Sequence, residues 1–314
     1  KPGRAPSPPN CHEDTPMTEK RMWLRGLEYG CPGAMMQVDF YTSLWGLTEV
    51  ARSNDAVFFR ATGAEQYILA LHERPTRGIV RINLGVAERA QVDALHAALA
   101  AKRIPVLDAP RELSTPGGGY GFELLDPDRR VFRISSDVAR HAEAADALDR
   151  PRKPSHVVLN TVDMDRMVAF MTEALGFKVS DYSENVMAFL RCNQDHHSIA
   201  LVRADRNSVN HMAFEMPTID AYMRGIGRMK NGGYPVNWGP GRHGPGNNPF
   251  AYYAGPSGFV IEYTAEVQQI DDATHEPQVW PRTPEKSDLW MTAGPPSRQM
   301  RTAMAGDPDP GWKG

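Results

Sequence analysis

The sequence lacks the features that mark secretion, membrane insertion or nucleic-acid binding. Its three cysteines, Cys11, Cys31 and Cys192, are widely spaced and match neither a disulfide framework nor a zinc cluster. No apolar run approaches the roughly 20 residues that a membrane helix needs, and the N-terminus lacks the core of a signal peptide. A net charge of −3 gives no reason to expect nucleic acid or an anionic membrane as a partner. A reducing, cytoplasmic location is therefore expected, and it would also suit a metal that must stay reduced.

What the chain does contain is typical of a globular protein. It has 314 residues, of which 41% are hydrophobic and 23% charged, enough for two ordinary domains. Residues 1–20 are proline-rich and polar, which predicts a disordered leader, with Met17 as a candidate natural start. After about residue 268 the chain again becomes polar and proline-rich. This stretch predicts an extended tail that packs over the body and covers either an active-site mouth or a subunit contact.

The region between leader and tail is an internal duplication. A strand, a helix and further strands recur four times, and the four units fall into two pairs. The phrase FYTSLWGL (40–47) matches FMTEALGF (170–177), and LLDPDRRVFR (124–133) matches YAGPSGFVIE (253–262). Helices are predicted over 35–45, 89–102, 164–175 and 219–231. The predicted divisions are a leader (1–20), a first domain (21–138), a linker or connecting helix (139–152), a second domain (153–268) and a tail (269–314).

A carboxylate in the last strand of the duplication needs an explanation. Phe259–Tyr263 alternates so that Phe259, Ile261 and Tyr263 share one face, while Val260 and Glu262 share the other. A carboxylate among apolar neighbours is costly to bury unless something compensates it. For Glu262 alone, an exposed face would be the ordinary explanation.

Two upstream histidines change this interpretation. His156 lies in the first strand of the third unit and His211 in the first strand of the fourth. Each alone is more often an ordinary core or surface residue, but the repeated module would bring their strands beside that of Glu262. Two imidazoles and one carboxylate with open positions form the facial triad of non-haem Fe(II) oxygenases. In the first domain Arg81 stands where His211 does and Arg133 where Glu262 does, so that half is predicted to be a metal-free copy.

The chain resembles the type I extradiol ring-cleavage dioxygenases of the vicinal oxygen chelate (glyoxalase-like) superfamily. The resemblance covers about residues 22–268. It rests on the segments HVVLN (156–160), HHSIAL (196–201), NHMAFEM (210–216), GRHGPGNNPFAYY (241–253) and GFVIEYTAE (258–266). It implies an α+β fold of four βαβββ modules in two domains.

The resemblance also implies roles for individual residues. The metal ligands would be His156, His211 and Glu262. The acid–base histidine would be His197, or His196 if the alignment shifts by one residue. His243 and Tyr252 would act on the substrate and the intermediate, and substrate contacts are expected from His243, Tyr252, Val158, Phe189 and Asn247. Some members carry an aspartate shortly after the histidine that corresponds to His243, whereas this chain reads Gly-Pro-Gly-Asn-Asn.

The implied activity is extradiol cleavage of a catechol by O₂ at Fe(II), with Mn(II) as an alternative metal, in the breakdown of aromatic compounds. The expected partners are a catecholic substrate and O₂, with no nucleic acid or membrane, in a homo-oligomer. Two other readings stay open. A glyoxalase or thiol-transferase of the same superfamily could use a similar metal set but would not need His197, His243 and Tyr252 together. A metal-free binding protein would be expected to lose its ligands in both halves.

Overall fold

The fold consists of four βαβββ modules and a C-terminal segment. The computed structural model describes residues 22–144 and 147–311. The predicted leader, which includes Cys11 and Met17, lies outside the described residues. The predicted α+β fold of four such modules is confirmed. In the described part of the chain, no helix has both the length and the apolar character needed to cross a membrane.

The first two modules occupy the N-terminal half. The first contains β1 (Trp23–Cys31), a 3-10 helix (Ala34–Gln37), a π-helical turn (Phe40–Leu44), β2 (Thr48–Arg52), β3 (Ala56–Arg60) and β4 (Leu69–Glu73). The second contains β5 (Gly78–Gly85), α1 (Arg89–Ala101), β6 (Arg111–Glu112), β7 (Tyr120–Leu125) and β8 (Val131–Ser136).

The last two modules occupy the C-terminal half. The third contains β9 (Lys153–Thr161), α2 (Met164–Ala169), a π-helical turn (Phe170–Ala174), β10 (Lys178–Ser183), β11 (Met187–Arg191) and β12 (Ile199–Arg203). The fourth contains β13 (Ser208–Glu215), α3 (Ile219–Asn231), β14 (Trp238–Arg242), β15 (Pro249–Ala254) and β16 (Val260–Thr264).

Each pair of modules builds one mixed sheet. Within the described residues, the first sheet has the order β2-β3-β4-β1-β5-β8-β7-β6, and the second has the order β14-β15-β16-β13-β9-β12-β11-β10-β17, where β17 is Gln278–Trp280 of the C-terminal segment. In the second sheet Ala213 on β13 pairs with His156 on β9 and with Glu262 on β16. His211, two residues earlier on β13, pairs with Val158. The three strands that carry the candidate ligands are therefore neighbours.

Helix α3 shows how local sequence fixes these elements. The Thr218 hydroxyl accepts a hydrogen bond from the Ala221 amide and caps the N-terminus, which satisfies one of the unpaired first-turn donors. Tyr222, Gly225 and Met229 follow Ala221 at helical spacing and are buried together with it, as expected for the core-facing side of an amphipathic helix.

The predicted elements differ from the structure mainly at the other helices. Residues 35–45 form a 3-10 helix and a π-helical turn rather than one α-helix, and 164–175 is an α-helix that ends in a π-helical turn. The described residues of 139–152 contain no helix. The sequence also missed the short strands β2, β6, β10 and β14, which have little apolar alternation because each lies at or near a sheet edge.

The C-terminal segment is not simply extended, and that expectation was wrong. Besides β17 it contains the short helix α4 (Pro284–Ser287) and the helix α5 (Arg298–Ala305). Strand β17 adds to β10 in parallel at the edge of the second sheet. Met300 of α5 is buried against Phe250, Tyr252 and Val260. The segment therefore packs on the body, as expected, on the face that carries Glu262.

The first sheet repeats the register of the second with different side chains. Asn83 on β5 takes the place of Ala213 and pairs with Gly26 on β1 and with Arg133 on β8. Gly26, Arg81 and Arg133 thus occupy the positions of His156, His211 and Glu262. The sheet pairing gives the same correspondence for Arg81 and Arg133 as the sequence phrases do.

Two carboxylates, Glu123 and the fully buried Glu28, neutralise the Arg81 and Arg133 side chains of the first sheet. Arg81 Nη1 donates to both Glu28 oxygens at 3.0 Å. Asn83 and Tyr67 donate to Oε1 at 3.0 and 2.9 Å, and His72 Nε2 lies 2.9 Å from Oε2. Burial alone would raise the pKa of Glu28, but the hydrogen bond to His72 and the charge of Arg81 outweigh it and hold that pKa well below its usual range. Glu28 is therefore ionised in the folded protein.

We predict that Glu28→Gln destabilises the protein by about 3 kcal/mol at neutral pH, because removing one partner of a buried pair leaves the other charge uncompensated. Since the folded pKa is depressed, this stabilisation is complete above the unfolded pKa of about 4.3. It should shrink as the pH falls below that value. Urea unfolding of both proteins at pH 7 and pH 3.5 measures the difference. Glu49→Gln is the matched control, because this carboxylate is only half-buried and pairs with Arg52 at the surface, and the change should leave the midpoint almost unchanged. A Glu28→Gln difference that does not depend on pH would contradict the assignment.

Candidate active site

Two histidines and one glutamate converge on one face of the second sheet. His156 Nε2 lies 3.2 Å from Glu262 Oε2, and His211 Nε2 lies 3.1 Å from the same oxygen. One ligand atom from each residue lies within 4.8 Å of the others. All three side chains are buried, and Glu262 has no exposed surface. The interpretation of Glu262 as an exposed surface residue is therefore wrong, and the structure brings together the three residues predicted as ligands.

The outer nitrogens of both imidazoles are held by neighbouring side chains. His156 Nδ1 lies 3.1 Å from Ser155 Oγ, and His211 Nδ1 lies 2.7 Å from Asn210 Oδ1. An amide oxygen only accepts hydrogen bonds, so His211 carries its proton on Nδ1 and presents a bare Nε2 to Glu262. Hydrogen bonds of this kind orient histidine ligands in metal sites.

The centre of the cluster is electrostatically incomplete. Among the described residues, His211 Nε2 and Glu262 Oε1 are buried atoms with no hydrogen-bond partner. Burial alone would raise the pKa of Glu262, but the imidazoles of His156 and His211 hold it at about 2. Burial lowers the pKa of His211, which keeps that ring neutral. An ionised carboxylate and an orphaned lone pair that face each other at a buried site fit a bound divalent cation.

His197 stands beside this cluster and His196 stands behind it. The rings of His197 and His156 lie 4.2 Å apart between centroids, and His197 lines the same cavity as His156 and His211. His196 does not line that cavity but contacts Asp181. Of the two candidates for the acid–base residue, His197 has the placement that the role requires. Burial, followed by the nearby imidazole of His156, lowers the pKa of His197 well below its usual value.

His243 and Tyr252 form a pair on the opposite side of the cluster. Tyr252 on β15 pairs directly with Glu262 on β16, and its hydroxyl lies 3.0 Å from His243 Nε2. His243 is stacked on Phe250 with 4.0 Å between ring centroids. Burial lowers the pKa of His243 to about 4, and burial together with the charge of Glu262 raises the pKa of Tyr252 well above 10. Both groups are therefore neutral near pH 7.

A cavity of about 630 Å³ opens onto the cluster, within the range of small-molecule sites. Val158 and Phe189, whose contact with the substrate stays a prediction, line this cavity and form an apolar patch with Met187 and Val202. The other side of the cavity is formed largely by the C-terminal segment between Trp280 and Ala305. Of the two possibilities left open for the tail, the structure favours the one in which it covers the site.

The expected substrate contact from Asn247 is wrong. Asn247 is exposed, and its Oδ1 accepts a hydrogen bond from Arg242 at 2.9 Å. Its neighbour Asn248 is buried, but it bonds to Thr264 rather than facing the cavity. Gly246 has φ +78°, and a Cβ there would lie 2.8 Å from Asn248 Oδ1 and 3.1 Å from His197 Cε1, so any side chain would be strained and crowded. The Gly-Pro-Gly-Asn-Asn turn thus packs on His196 and His197.

Sequence reasoning missed several residues that support the site. Asn210 stands next to His211, and its position in the sequence beside a candidate ligand was an available signal. Asn160 gave no signal, since it links Asn210 (Nδ2 to Oδ1, 2.9 Å) to the Met304 carbonyl (2.8 Å) of the distant helix α5. Asp181 and Trp280, which lie behind His196, are also far away in the sequence.

Comparison with known proteins places the fold and the site in a family. The model of the glyoxalase/bleomycin resistance protein/dioxygenase superfamily matches residues 153–263, the segment that holds the cluster. The solved structure of a Mn(II)-bound glyoxalase from Novosphingobium aromaticivorans is 40% identical, with a TM-score of 0.84, over 89% of this chain and 94% of that one. The chain belongs to this superfamily.

The chain also resembles a protein named as a metapyrocatechase and a solved structure named as a dioxygenase. Metapyrocatechase 2 of Cupriavidus necator is 36% identical over 205 residues, which are 58% of this chain and 62% of that protein. The chain thus matches less than two thirds of this relative's length. Homoprotocatechuate 2,3-dioxygenase of Arthrobacter globiformis has a TM-score of 0.77 over 87% of this chain and 88% of that one. At 21% identity this second likeness concerns the fold alone.

We predict that His211→Ala abolishes stoichiometric binding of a divalent cation, because it removes one of three protein ligands and leaves only His156 and Glu262 to hold the cation. Mn(II) titration of the metal-free protein, followed by elemental analysis after gel filtration, measures the stoichiometry. His96→Ala, a histidine of α1 far from the cluster, is the matched control and should keep full binding. Full binding by His211→Ala would exclude His211 as a ligand.

Proposed function

We propose that the protein is an extradiol dioxygenase, which opens the ring of a catechol beside the diol and incorporates both atoms of O₂. The observation that supports this most is the combination at one cavity of the His156–His211–Glu262 cluster, the neutral His197 and the His243–Tyr252 pair. Three ligands on one side leave the opposite side free for substrate. The resemblance to Metapyrocatechase 2 agrees with the proposal.

The metal is proposed to be Fe(II), with Mn(II) as the alternative that the same ligands suit. Two proteins similar to this chain carry manganese in their names. One is the Mn(II)-bound glyoxalase, and the other is a manganese-dependent 2,3-dihydroxybiphenyl 1,2-dioxygenase that is 24% identical over 79% of this chain. When bound, the metal would lower the pKa of the catechol hydroxyls and provide the open positions for both catechol oxygens and O₂.

His197 would move the protons of the reaction. Its ring is buried against His156, and its low pKa keeps it neutral, so it can accept a proton from a substrate hydroxyl near neutral pH. It would then return that proton to oxygen as the ring opens. A positioned acid–base group of this kind contributes about 10²–10⁴-fold to the rate.

Tyr252 and His243 would orient the substrate oxygens. Tyr252 is fixed from both sides, by the strand pairing with Glu262 and by stacking of its ring on Trp238 at 4.7 Å. Tyr252 is buried, and its hydroxyl and the imidazole of His243 are neutral donors and acceptors that line the cavity. Donors held in this way stabilise charge that develops on the substrate without reorganising.

The substrate is proposed to be a catechol with an apolar ring or substituent, held by Val158 and Phe189 beneath the C-terminal segment. The division of labour would follow the predicted domains: residues 153–268 carry the chemistry, and residues 21–138 are a metal-free copy. The expected homo-oligomer and cytoplasmic location stay predictions of the sequence.

A glyoxalase-type isomerase is the second candidate, because the similar solved structure at 40% identity bears that name. Such an enzyme would use the metal cluster, but its reaction would not require His197, His243 and Tyr252 together. These three residues line the same cavity as both histidines of the cluster, which favours ring cleavage.

The proposal is tested by loading the protein with Fe(II) without oxygen and then adding air and a panel of catechols. We expect a yellow ring-opened semialdehyde that contains two labelled atoms when ¹⁸O₂ is used. A parallel assay supplies Mn(II), methylglyoxal and a thiol. Turnover in that assay, with no catechol cleaved under either metal, would replace ring cleavage by the glyoxalase reaction.

We predict that His197→Phe keeps the metal stoichiometry but lowers kcat by about 10²–10⁴-fold, because the residue lies beside the ligands rather than among them. Metal analysis and steady-state kinetics on the same preparations separate the two effects. His96→Phe serves as the control and should behave as the wild type. Loss of metal in His197→Phe would reassign it as a ligand, and unchanged kcat would remove it from proton transfer.

A further inference from the structure

A chain of buried hydrogen bonds runs outward from His197 through His196. The two Nδ1 atoms of His197 and His196 lie 3.0 Å apart, and His196 Nε2 lies 3.0 Å from Asp181 Oδ2. His196 has no exposed surface, and both His197 and Asp181 are 3% exposed. These hydrogen bonds involve none of the candidate metal ligands, so they are not needed to orient the metal site.

The C-terminal segment holds the outer end of this chain. Trp280 Nε1 donates to Asp181 Oδ2 at 2.7 Å, and the Gln278 amide donates to Oδ1 at 2.8 Å. Both donors lie on β17, which pairs with β10 at Asp181. Each carboxylate oxygen thus accepts at least one hydrogen bond, which fixes the plane of the carboxylate and stabilises its charge.

The donors and acceptors in this series of hydrogen bonds determine where each proton lies. An ionised carboxylate only accepts, so His196 carries a proton on Nε2. Because His196 is completely buried, it is neutral, and its Nδ1 has only a lone pair. The 3.0 Å contact between the two Nδ1 atoms then requires His197 to donate from Nδ1. The Nε2 of His197, on the other side of the ring, is left as a bare acceptor.

We propose that His196 and Asp181 are positioning residues that hold His197 in the tautomer with an unprotonated Nε2 available to the cavity. This inference rests on the proposed function, because it gives His197 the form needed to accept a proton from a catechol hydroxyl. When Nε2 takes that proton, Nδ1–H stays bonded to His196, and the positive charge is stabilised through His196 by Asp181. The proton leaves again from Nε2, so the hydrogen bonds between His197, His196 and Asp181 are the same at the end of each turnover as at its start.

Two substitutions at one position separate this role from simple packing. Leu at 196 removes the acceptor for His197 Nδ1–H. Gln at 196 can restore the chain, since its Oε1 accepts from His197 while its Nε2 donates to Asp181. His196→Leu should lower kcat by about 10–100-fold, typical for the loss of a supporting hydrogen bond, with KM and metal stoichiometry nearly unchanged. His196→Gln should recover most of that loss.

The tautomer is measured directly, without turnover, by ¹⁵N NMR of histidine-labelled, metal-free protein. Ten histidines are present in the chain, and the His196 and His197 variants assign the two signals. We expect His197 to be protonated on Nδ1 and His196 on Nε2 in the wild type. The opposite arrangement, with a proton on His197 Nε2, would overturn the proposal, as would a His196→Gln variant as slow as His196→Leu.

The failure of this inference can be told apart from the failure of the proposed function. If the wild type cleaves catechols and His196→Leu has an unchanged kcat, the positioning role is excluded while ring cleavage stands. If the wild type cleaves no catechol, the proposed function fails, and the NMR result still decides the tautomer. Should His196→Leu not fold, His196→Gln and the wild-type spectrum carry the test.

Discussion

The active site depends on one constraint: an ionised carboxylate is buried inside a sheet. Glu262 has no exposed surface, and removing such a charge from water costs several kcal/mol unless a cation compensates it. His156 and His211 approach the same oxygen at 3.2 and 3.1 Å, yet burial lowers the pKa of His211, and a neutral ring there cannot balance the charge. A divalent cation between the three residues would compensate this charge. Ser155 and Asn210 contact the outer nitrogens of the two rings and so turn both rings toward the centre.

The two halves of the chain satisfy the same constraint in different ways. In the first sheet, arginines take the positions of His211 and Glu262, and the carboxylates of Glu28 and Glu123 balance their charges. The charges there are compensated within the protein, with Tyr67 and Asn83 completing the hydrogen bonds. The duplication thus gives one half whose charges neutralise each other and one half whose charge requires a ligand from outside. A metal-free binding protein would need no such asymmetry.

Patterns along the sequence were sufficient to predict the four modules and the residues of the central cluster. Alternation predicted β16 with Glu262 on a separate face from Ile261, and helical spacing predicted α3. The ligand set came from combining three strands of a repeated unit, since no single residue of it is informative. Strand pairing then does the rest, because neighbouring strands in register leave little freedom in where His156 and Glu262 can lie.

The remaining features depend on contacts between segments that are far apart in the sequence. Asp181 reaches His196 only because β10 and the loop before β12 lie side by side, and Trp280 reaches Asp181 only because β17 joins the sheet edge. Helix α5 is short and lies in a polar, proline-rich stretch, so it was interpreted as extended although Met300, Ala303 and Met304 have helical spacing. Asn247 was placed at the substrate by analogy, whereas the left-handed backbone at Gly246 turns this part of the loop toward solvent.

The central claim is that one divalent metal is held between His156, His211 and Glu262 and that the first half holds none. Anomalous diffraction at the iron absorption edge, from crystals loaded with Fe(II) without oxygen, tests it most directly. The account predicts a single peak about 2.0–2.3 Å from His156 Nε2, His211 Nε2 and a Glu262 oxygen. A peak bonded to a different set of side chains, or a second peak beside Arg81 and Arg133, would contradict it.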